Sequence, residues 1–207
     1  IMRKLLLSLF FIMLTVSAQA QTIGITGNLA FDKAESDLIK GFKPGLGWGA
    51  GLKLRMVSHT GLGIDLAFKY DSEKISFVSM EGDKNITNEK SDHISLLSIP
   101  LNLRYDFAFP AMKKVAFPYL FVGPEFSYAF SNIDWKETKI GDYFKESKAL
   151  WNLNLGVGVI FIQHIELSYN YTFKLTDRLE KNSTLSENID KIYESSSNKI
   201  SLTYYFK

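Results

Sequence analysis

The sequence contains no cysteine, only three histidines and, beyond its first twenty residues, no long apolar run. The absence of cysteine excludes a disulfide framework and a thiolate metal site. The histidines lack the spacing of a metal-binding motif, so we expect no metal and no other cofactor. No segment after residue 20 approaches the 18 apolar residues of a membrane-spanning helix or sustains a 3.6-residue period. The pattern therefore excludes a helical membrane protein.

The first twenty residues differ from the rest of the chain. Arg3 and Lys4 precede the apolar stretch Leu5–Val16, and Ala18 and Ala20 form a small-residue Ala-x-Ala site. This order is typical of a secretory signal peptide, and the apolar stretch is shorter than the roughly 20 residues of a membrane anchor. We predict a cleavable signal peptide at residues 1–20 and a single domain at residues 21–207.

The charge of the exported chain is balanced. Loss of Arg3 and Lys4 would lower the 24 basic residues to 22, which equals the 22 acidic residues. A nucleic-acid-binding domain favours a basic patch and an excess of positive charge. We therefore predict that nucleic acid is not a partner.

Alternation between apolar and polar residues dominates the remainder of the chain. In the stretch from Ser95 to Tyr128, the first apolar positions of this pattern are Leu97, Ile99, Leu101 and the next three odd positions, with mostly polar residues between them. A period of two indicates a strand with one apolar and one polar face. Eight such runs occur, at 23–31, 46–56, 62–71, 97–107, 120–128, 152–161, 165–173 and 200–206.

Two all-β folds fit these eight runs. Strands of about 9–11 residues with a large apolar face are typical of a transmembrane barrel with lipid outside and a polar lumen. The same pattern would fit a soluble lipocalin-like barrel with an apolar interior. We predict an eight-stranded antiparallel up-and-down transmembrane β-barrel, located in the bacterial outer membrane, with the soluble barrel as the alternative.

The connections between the runs alternate in length, as in outer-membrane barrels with short periplasmic turns and long outer loops. The long, polar connections are Asp32–Pro44, Met80–Asp92, Ser131–Leu150 and Thr176–Asn198. The shorter ones are Ser58–Thr60, Ala108–Ala116 and Ile162–His164.

Charged residues recur on the polar faces of the strands and would point into a narrow lumen. Buried charges are costly unless they are paired, so we expect a structural network of ion pairs that closes the barrel. A gated pore or proton path is the alternative. Glycines on the same faces would either make room for Lys53, Arg55 and Arg104 or let the strands bend. The predicted lumen network consists of Lys53, Arg55, Asp65, Arg104, Asp106, Glu125 and Glu166.

The predicted outer loops carry aromatic residues among lysines. Exposed aromatics on loops of a rigid scaffold are common contact residues, and lysines attract the phosphates of lipopolysaccharide. Loops without a fixed partner are the alternative. The candidate contact residues are Trp135, Tyr143, Phe144 and Tyr193. His93, beside Ser91 and Asp92 at the outer rim, is a weaker candidate for lipid-modifying catalysis, and we predict no catalytic residue.

Four passages make the chain resemble the PorT-like outer-membrane β-barrel family of Bacteroidota-type Gram-negative bacteria. They are LSIPLNLRY at 97–105, PYLFVGPE at 118–125, LNLGVG at 153–158 and ISLTYYF at 200–206. The resemblance covers essentially the whole chain after the signal peptide. It implies an eight-stranded barrel in the outer membrane and implies no activity.

The combined prediction is a non-enzymatic barrel of structural or adhesive type that displays four extracellular loops. We expect outer-membrane lipid as one partner. The second would be either lipopolysaccharide or a surface or periplasmic protein. A narrow channel for small or apolar solutes is the alternative function. A lipid-modifying enzyme and a soluble lipocalin-like carrier are less favoured.

Overall fold

The computed structural model describes residues 21–35, 43–80, 87–107, 115–130, 144–176, 179–181 and 194–206. Eight long strands occur in this part of the chain. They are β1 (Gln21–Glu35), β2 (Leu46–Val57), β3 (Leu62–Met80), β4 (Thr87–Asp106), β5 (Ala116–Ala129), β6 (Ala149–Phe161), β7 (Ile165–Lys174) and β8 (Glu194–Tyr205). Three short strands, at Lys43–Pro44, Phe144–Glu146 and Leu179–Lys181, lie between them. Among the described residues there is no helix with the length and apolar character needed to cross a bilayer.

The eight long strands form one closed antiparallel barrel. Each pairs with the next along the chain, and β1 pairs with β8, where Gly24 lies opposite Tyr205. Closure satisfies the backbone hydrogen bonds of every strand and leaves no open sheet edge across the barrel wall. The predicted eight-stranded up-and-down barrel is therefore confirmed.

Burial alternates along the strands in the sense opposite to that of a soluble protein. On β7, Leu167 and Tyr169 are 47% and 45% exposed, whereas Glu166 is fully buried and Ser168 is 7% exposed. The other strands likewise turn large apolar residues outward and polar residues inward. A lipocalin-like barrel requires an apolar interior, so the soluble alternative is wrong.

Exposed aromatic residues form two bands on the outside of the barrel. Trp48 packs against Tyr70 in one band, and Tyr105 packs against Phe107 in the other. On β6, Trp151 and Phe161 mark the two levels and are ten residues apart. At about 3.3 Å per residue and a tilt of about 40°, this separation spans roughly 25 Å along the barrel axis, the height of a lipid-facing band.

The two ends of the barrel differ. One end, the turn end, carries the tight connections at residues 58–61 and 162–164. At the other, the loop end, β3 and β4 continue as a ladder as far as the pair Met80 and Thr87. The predicted loop Met80–Asp92 is therefore wrong at Met80 and at residues 87–92, which belong to strands. A run of polar residues predicts a loop, but a two-stranded ladder outside the membrane also tolerates polar residues.

Candidate functional site

Four charged side chains meet inside the barrel near the turn end, in what we call the turn-end cluster: Lys53, Asp65, Arg104 and Glu166. The Lys53 Nζ lies 2.6 Å from Glu166 Oε1 and 3.0 Å from Asp65 Oδ2. The Arg104 Nη1 lies 2.8 Å from Asp65 Oδ2 and 3.2 Å from Glu166 Oε2. Two bases thus share two acids, and Glu166 comes from the opposite half of the sequence.

Two further members of the predicted network lie beside this cluster. Arg104 donates a hydrogen bond from Nε to Asp106 Oδ1 at 2.8 Å. In the described part of the chain, Arg55 lies over the ring of Tyr205, 4.4 Å from its centroid, rather than in these ion pairs. The Tyr205 hydroxyl donates to Glu166 Oε2 at 2.9 Å, so this tyrosine connects Arg55 to the cluster.

Glu125 is separated from the other predicted acids and belongs to a second, loop-end cluster. Its carboxylate accepts a hydrogen bond from Lys199 Nζ at 3.0 Å and lies 3.7 Å from Lys69 Nζ. The side-chain amides of Asn154 and Asn152 donate to it at 3.1 and 3.4 Å. Lys69 and Lys199 were missed as site residues. Both lysines lie on the polar faces of β3 and β8, and this placement was the signal that could have identified them.

Buried aromatic rings, which are not among the site residues predicted from the sequence, complete the turn-end cluster. The Arg104 guanidinium lies 3.7 Å from the centroid of the Tyr119 ring, and Phe121 packs against that ring. The strand β5 is apolar on both faces at this point, so alternation could not single out the inward residues. Tyr119 and Phe121 occupy odd-numbered positions of β5, as Glu125 does. This shared face of the strand was a weak signal that the rings point inward.

The glycines of β6 accommodate these rings. A Cβ at Gly156 would collide with the Phe121 ring, and one at Gly158 would collide with the Tyr119 ring. Gly156 and Gly158 lie directly opposite Phe121 and Tyr119 in the ladder. At these two positions the expectation that glycine makes room for basic side chains was therefore wrong, because the space is taken by aromatic rings.

The lumen is balanced in charge. Among the side chains that the structure describes, the barrel strands turn equal numbers of bases and acids inward. The inward bases are Lys53, Arg55, Lys69, Arg104, Lys174 and Lys199. The inward acids are Asp65, Asp71, Glu73, Asp106, Glu125 and Glu166. Such an interior needs no bound ion for neutrality.

A cavity of about 50 Å³ lies between the two clusters. Lys53 and Asp65 line it from one cluster, and Lys69 and Glu125 line it from the other. The side-chain oxygens of Asn102 and Asn170, which also line the cavity, have no hydrogen-bond partner. A polar space of this size accommodates a few water molecules, which would satisfy these atoms.

Apolar side chains line one sector of the lumen near the loop end. Buried Ile94, Leu96, Ala129 and Leu150 come from three neighbouring strands above the loop-end cluster. Leu96 lies opposite Ala129 in the ladder of β4 and β5. On β3, Glu73 lies opposite Ile94 in the ladder, and its Oε2 is 3.8 Å from Lys174 Nζ. In the described residues, paired charges therefore occur at both ends of the lumen, with an apolar sector at the loop end and aromatic rings at the turn end.

The candidate rim and loop residues are only partly described. The His93 Nδ1 lies 3.5 Å from the hydroxyl of Ser72, on the outward face near the loop end. Phe144 begins the short strand Phe144–Glu146, which pairs with Leu179–Lys181 and so joins two of the predicted loops. Trp135, Tyr143 and Tyr193 lie outside the described residues. Within the described part, no group of His, Asp and Glu side chains is arranged to hold a metal ion.

Similar solved structures are outer-membrane proteins. Neisserial surface protein A has a TM-score of 0.49 at 16% identity, over 91% of this chain and all of its own. Ail of Yersinia pestis, in complex with the heparin analogue sucrose octasulfate, has a TM-score of 0.46 at 14% identity, over 91% of this chain and all of its own. The outer membrane enzyme PagL has a TM-score of 0.40 at 13% identity, over 91% of this chain and 99% of its own. All three TM-scores are below 0.5, so these likenesses carry no functional argument.

No curated protein matches the chain significantly. Among protein families, residues 6–206 match the outer membrane protein beta-barrel domain. This match covers nearly the whole sequence and agrees with the closed barrel and its apolar outer surface. The chain therefore belongs to the outer membrane protein beta-barrel domain family and is a small eight-stranded integral protein of the outer membrane.

Proposed function

We propose that the protein is a closed structural or adhesive scaffold, which displays its loop end to a partner protein or a surface glycolipid. The observation that carries this proposal is the filled lumen, in which two clusters of paired charges and a layer of aromatic rings occupy the interior. Short turns of outer-membrane barrels face the periplasm, so the turn end is periplasmic and the loop end faces the outside.

The filled lumen supports a scaffold rather than a channel. Eight strands enclose an interior just wide enough for side chains to fill, and an aqueous pore requires more strands. Lys53 and Arg104 each contact both Asp65 and Glu166, so opening a path at this level would separate several buried ion pairs at once. The channel alternative depends on the small cavity becoming continuous with both ends.

Planar-bilayer recording distinguishes these two functions. We expect no conductance steps from the purified wild-type protein at physiological salt concentration. The double variant Tyr119→Ala with Phe121→Ala, which removes the rings beside the turn-end cluster, is the matched comparison. Reproducible steps from the wild type would favour the narrow channel and contradict the scaffold.

The outward extensions supply a rigid display surface. β3 and β4 continue about ten residues beyond the aromatic band at Tyr70, which corresponds to roughly 33 Å of ladder. The pairing of Phe144–Glu146 with Leu179–Lys181 ties two further connections together. Binding residues commonly lie on segments held by a rigid scaffold. We infer that Trp135, Tyr143, Phe144 and Tyr193 contribute contact area there.

An adhesion assay tests the display surface. Residues 76–91 would be replaced by Asn-Gly, which keeps the ladder up to the pair Ile75 and Asp92. The control would replace only residues 81–86 by a Gly-Ser segment of equal length, which leaves both strands intact. We expect the shortened protein to lose binding to lipopolysaccharide-containing vesicles or to host-cell surfaces, while both variants keep a gel mobility that shifts on boiling. The proposal would be refuted if a barrel lacking all outer connections bound as well as the wild type and both variants.

We infer that the protein is not an enzyme. The Ser72 hydroxyl lies 3.5 Å from His93 Nδ1, which is long for a hydrogen bond, and a contact between serine and histidine does not by itself define a hydrolase site. Lipid A would be compared by mass spectrometry in cells with and without the protein. We expect identical lipid A, whereas an altered acylation pattern that depends on His93 would identify a lipid-modifying enzyme.

Two finer assignments are also proposals. The four passages at 97–105, 118–125, 153–158 and 200–206 support a place among the PorT-like members of the family. The Ala-x-Ala site supports cleavage of the signal peptide after Ala20. N-terminal sequencing of the protein recovered from the outer membrane should begin at Gln21, and any other start would exclude this site.

A further inference from the structure

We propose that the periplasmic turn after β6 is embedded in the phospholipid of the periplasmic leaflet. The surface concerned, which we call the turn patch, consists of Val115, Phe161, Ile162 and Ile165. This contact with lipid goes beyond the proposed scaffold function, since it lies at the opposite end of the barrel from the display surface and involves a lipid partner.

The turn patch is apolar, exposed and continuous with the lipid-facing surface. Ile162 and Val115 are 66% and 63% exposed, more than most residues of the lipid-facing band. The Ile162 backbone N–H donates to the Val115 carbonyl at 3.1 Å, which joins the two turns. Phe161 and Ile165 form the last pair of the β6–β7 ladder and face outward with the rest of the band. The patch thus extends the membrane-facing surface around the end of the barrel.

The turn after β6 places an isoleucine where the backbone is strained. Ile162 and Gln163 have φ angles of 49° and 64°, in the left-handed region. A β-branched residue is a genuine outlier there. The His164 N–H donates to the Phe161 carbonyl at 3.1 Å and closes a turn whose two central residues both have positive φ, a conformation that strongly prefers Asn-Gly. A turn that served only to reverse the chain in water would favour those small polar residues.

A second turn at the same end provides an internal comparison. Between β2 and β3, the left-handed position is occupied by Gly61, with a φ of 89°. The hydroxyl of Ser58 donates to the Leu62 carbonyl at 2.8 Å and lies 2.7 Å from the hydroxyl of Thr60. This turn has a glycine and only polar side chains between its strands, whereas the turn after β6 has no glycine and places the apolar Ile162 beside Gln163 and His164.

The height of the turn patch matches the edge of the lipid. The distance along β6 from Trp151 to Phe161 already corresponds to roughly 25 Å across the membrane, about the full apolar band. Ile162 follows Phe161 directly, so its side chain lies at the boundary between acyl chains and headgroups. Aromatic and aliphatic side chains at this depth anchor membrane proteins.

The absence of cysteine makes a direct depth measurement simple, since a single introduced cysteine is the only labelling site. Nitroxide labels would be attached to Ile162→Cys, Val115→Cys and, as the control, Thr60→Cys in the exposed polar turn. The full-length barrel would be reconstituted in phosphatidylethanolamine and phosphatidylglycerol vesicles. Electron paramagnetic resonance would then compare collisions with oxygen, which partitions into lipid, and with a water-soluble nickel chelate.

We expect labels at Ile162 and Val115 to be several-fold more accessible to oxygen than to nickel, and the Thr60 label to show the reverse. Nickel accessibility at Ile162 equal to that at Thr60 would place the patch in water and overturn the proposal. Protection from both reagents would mean that protein covers the patch, which also overturns it. The same label at Thr60 controls for insertion driven by the label itself.

Discussion

Replacing Glu125 by glutamine tests whether the lumen is a closed interior, because this change removes one charge and little volume. The Glu125 carboxylate lies 3.0 Å from Lys199 and 3.7 Å from Lys69, and it is only 1% exposed. Glutamine keeps an oxygen that can accept from Asn154. The NH2 that replaces the second oxygen cannot accept from an ammonium, and glutamine carries no negative charge, so the two lysines lose their shared carboxylate.

The expected cost follows from these contacts. Breaking a buried ion pair by removing one partner costs about 3–5 kcal/mol, since the remaining charge stays desolvated. Lys69 keeps a second carboxylate, with Asp71 at 3.7 Å, so most of the loss should fall on Lys199. We therefore expect Glu125→Gln to lower the free energy of unfolding by about 3 kcal/mol, near the lower end of that range.

The assay is reversible urea unfolding in lipid vesicles, followed by the fluorescence of Trp48 and Trp151 on the outer surface. Asp106→Asn is the matched control, because Arg104 retains Asp65 and Glu166 when it loses that carboxylate. The control should cost less than the full value of one hydrogen bond to a charged group, about 1.5–3 kcal/mol, because the asparagine oxygen can still accept from Arg104.

A double variant shows whether the effect arises from the ion pair. Lys199→Met in the Glu125→Gln background removes the orphaned ammonium. The double variant should be destabilised by at least about 1 kcal/mol less than the sum of the single variants. If Glu125→Gln costs less than about 1 kcal/mol, the lysines must be hydrated. The closed-lumen argument, and with it the preference for a scaffold over a channel, would then be refuted.

Three other substitutions probe the wall, the lumen and a turn. Leu101→Arg should cost about 2–4 kcal/mol in vesicle unfolding if its face meets the bilayer mid-plane, and folding without loss would reverse the face assignment. Gly158→Val should abolish the gel shift on boiling because it collides with the Tyr119 ring, and Tyr119→Ala should restore the shift in the double variant. Gln163→Gly should stabilise the barrel by up to about 1 kcal/mol by relieving the left-handed backbone, and destabilisation would contradict the strained turn.

The sequence predicted the faces of the strands well because alternation is local. Each residue of β7 could be assigned to lipid or lumen from its neighbours alone, as Glu166 and Leu167 illustrate. The number of strands followed from the same pattern. A barrel exposes one face of every strand to lipid, so the signal recurs in all eight strands and does not depend on tertiary contacts.

The sequence could not predict which lumen residues meet. Lys53 and Glu166 are 113 residues apart and are joined across the interior, whereas Glu125 is joined to Lys199 instead. These partners depend on the stagger of the strands around the barrel, which alternation does not encode. Tyr119 and Phe121 were missed for another reason, since apolar residues on both faces of β5 leave the inward direction ambiguous.

The charged lumen also explains why the barrel adopts one register. A shift of one residue turns every side chain of a strand to the opposite face. If the lumen were apolar, as the outer surface is, both registers would place apolar residues in lipid and would differ little in energy. With Lys53 and Glu166 inside, the shifted register exposes a charge to lipid on β2 or β7, at about 2–4 kcal/mol for a basic residue at the mid-plane. The ion pairs add little net stability by themselves, because their attraction is offset by desolvation. Their effect is to penalise the alternative registers, a role that requires the pairs to stay closed and that needs no transported solute.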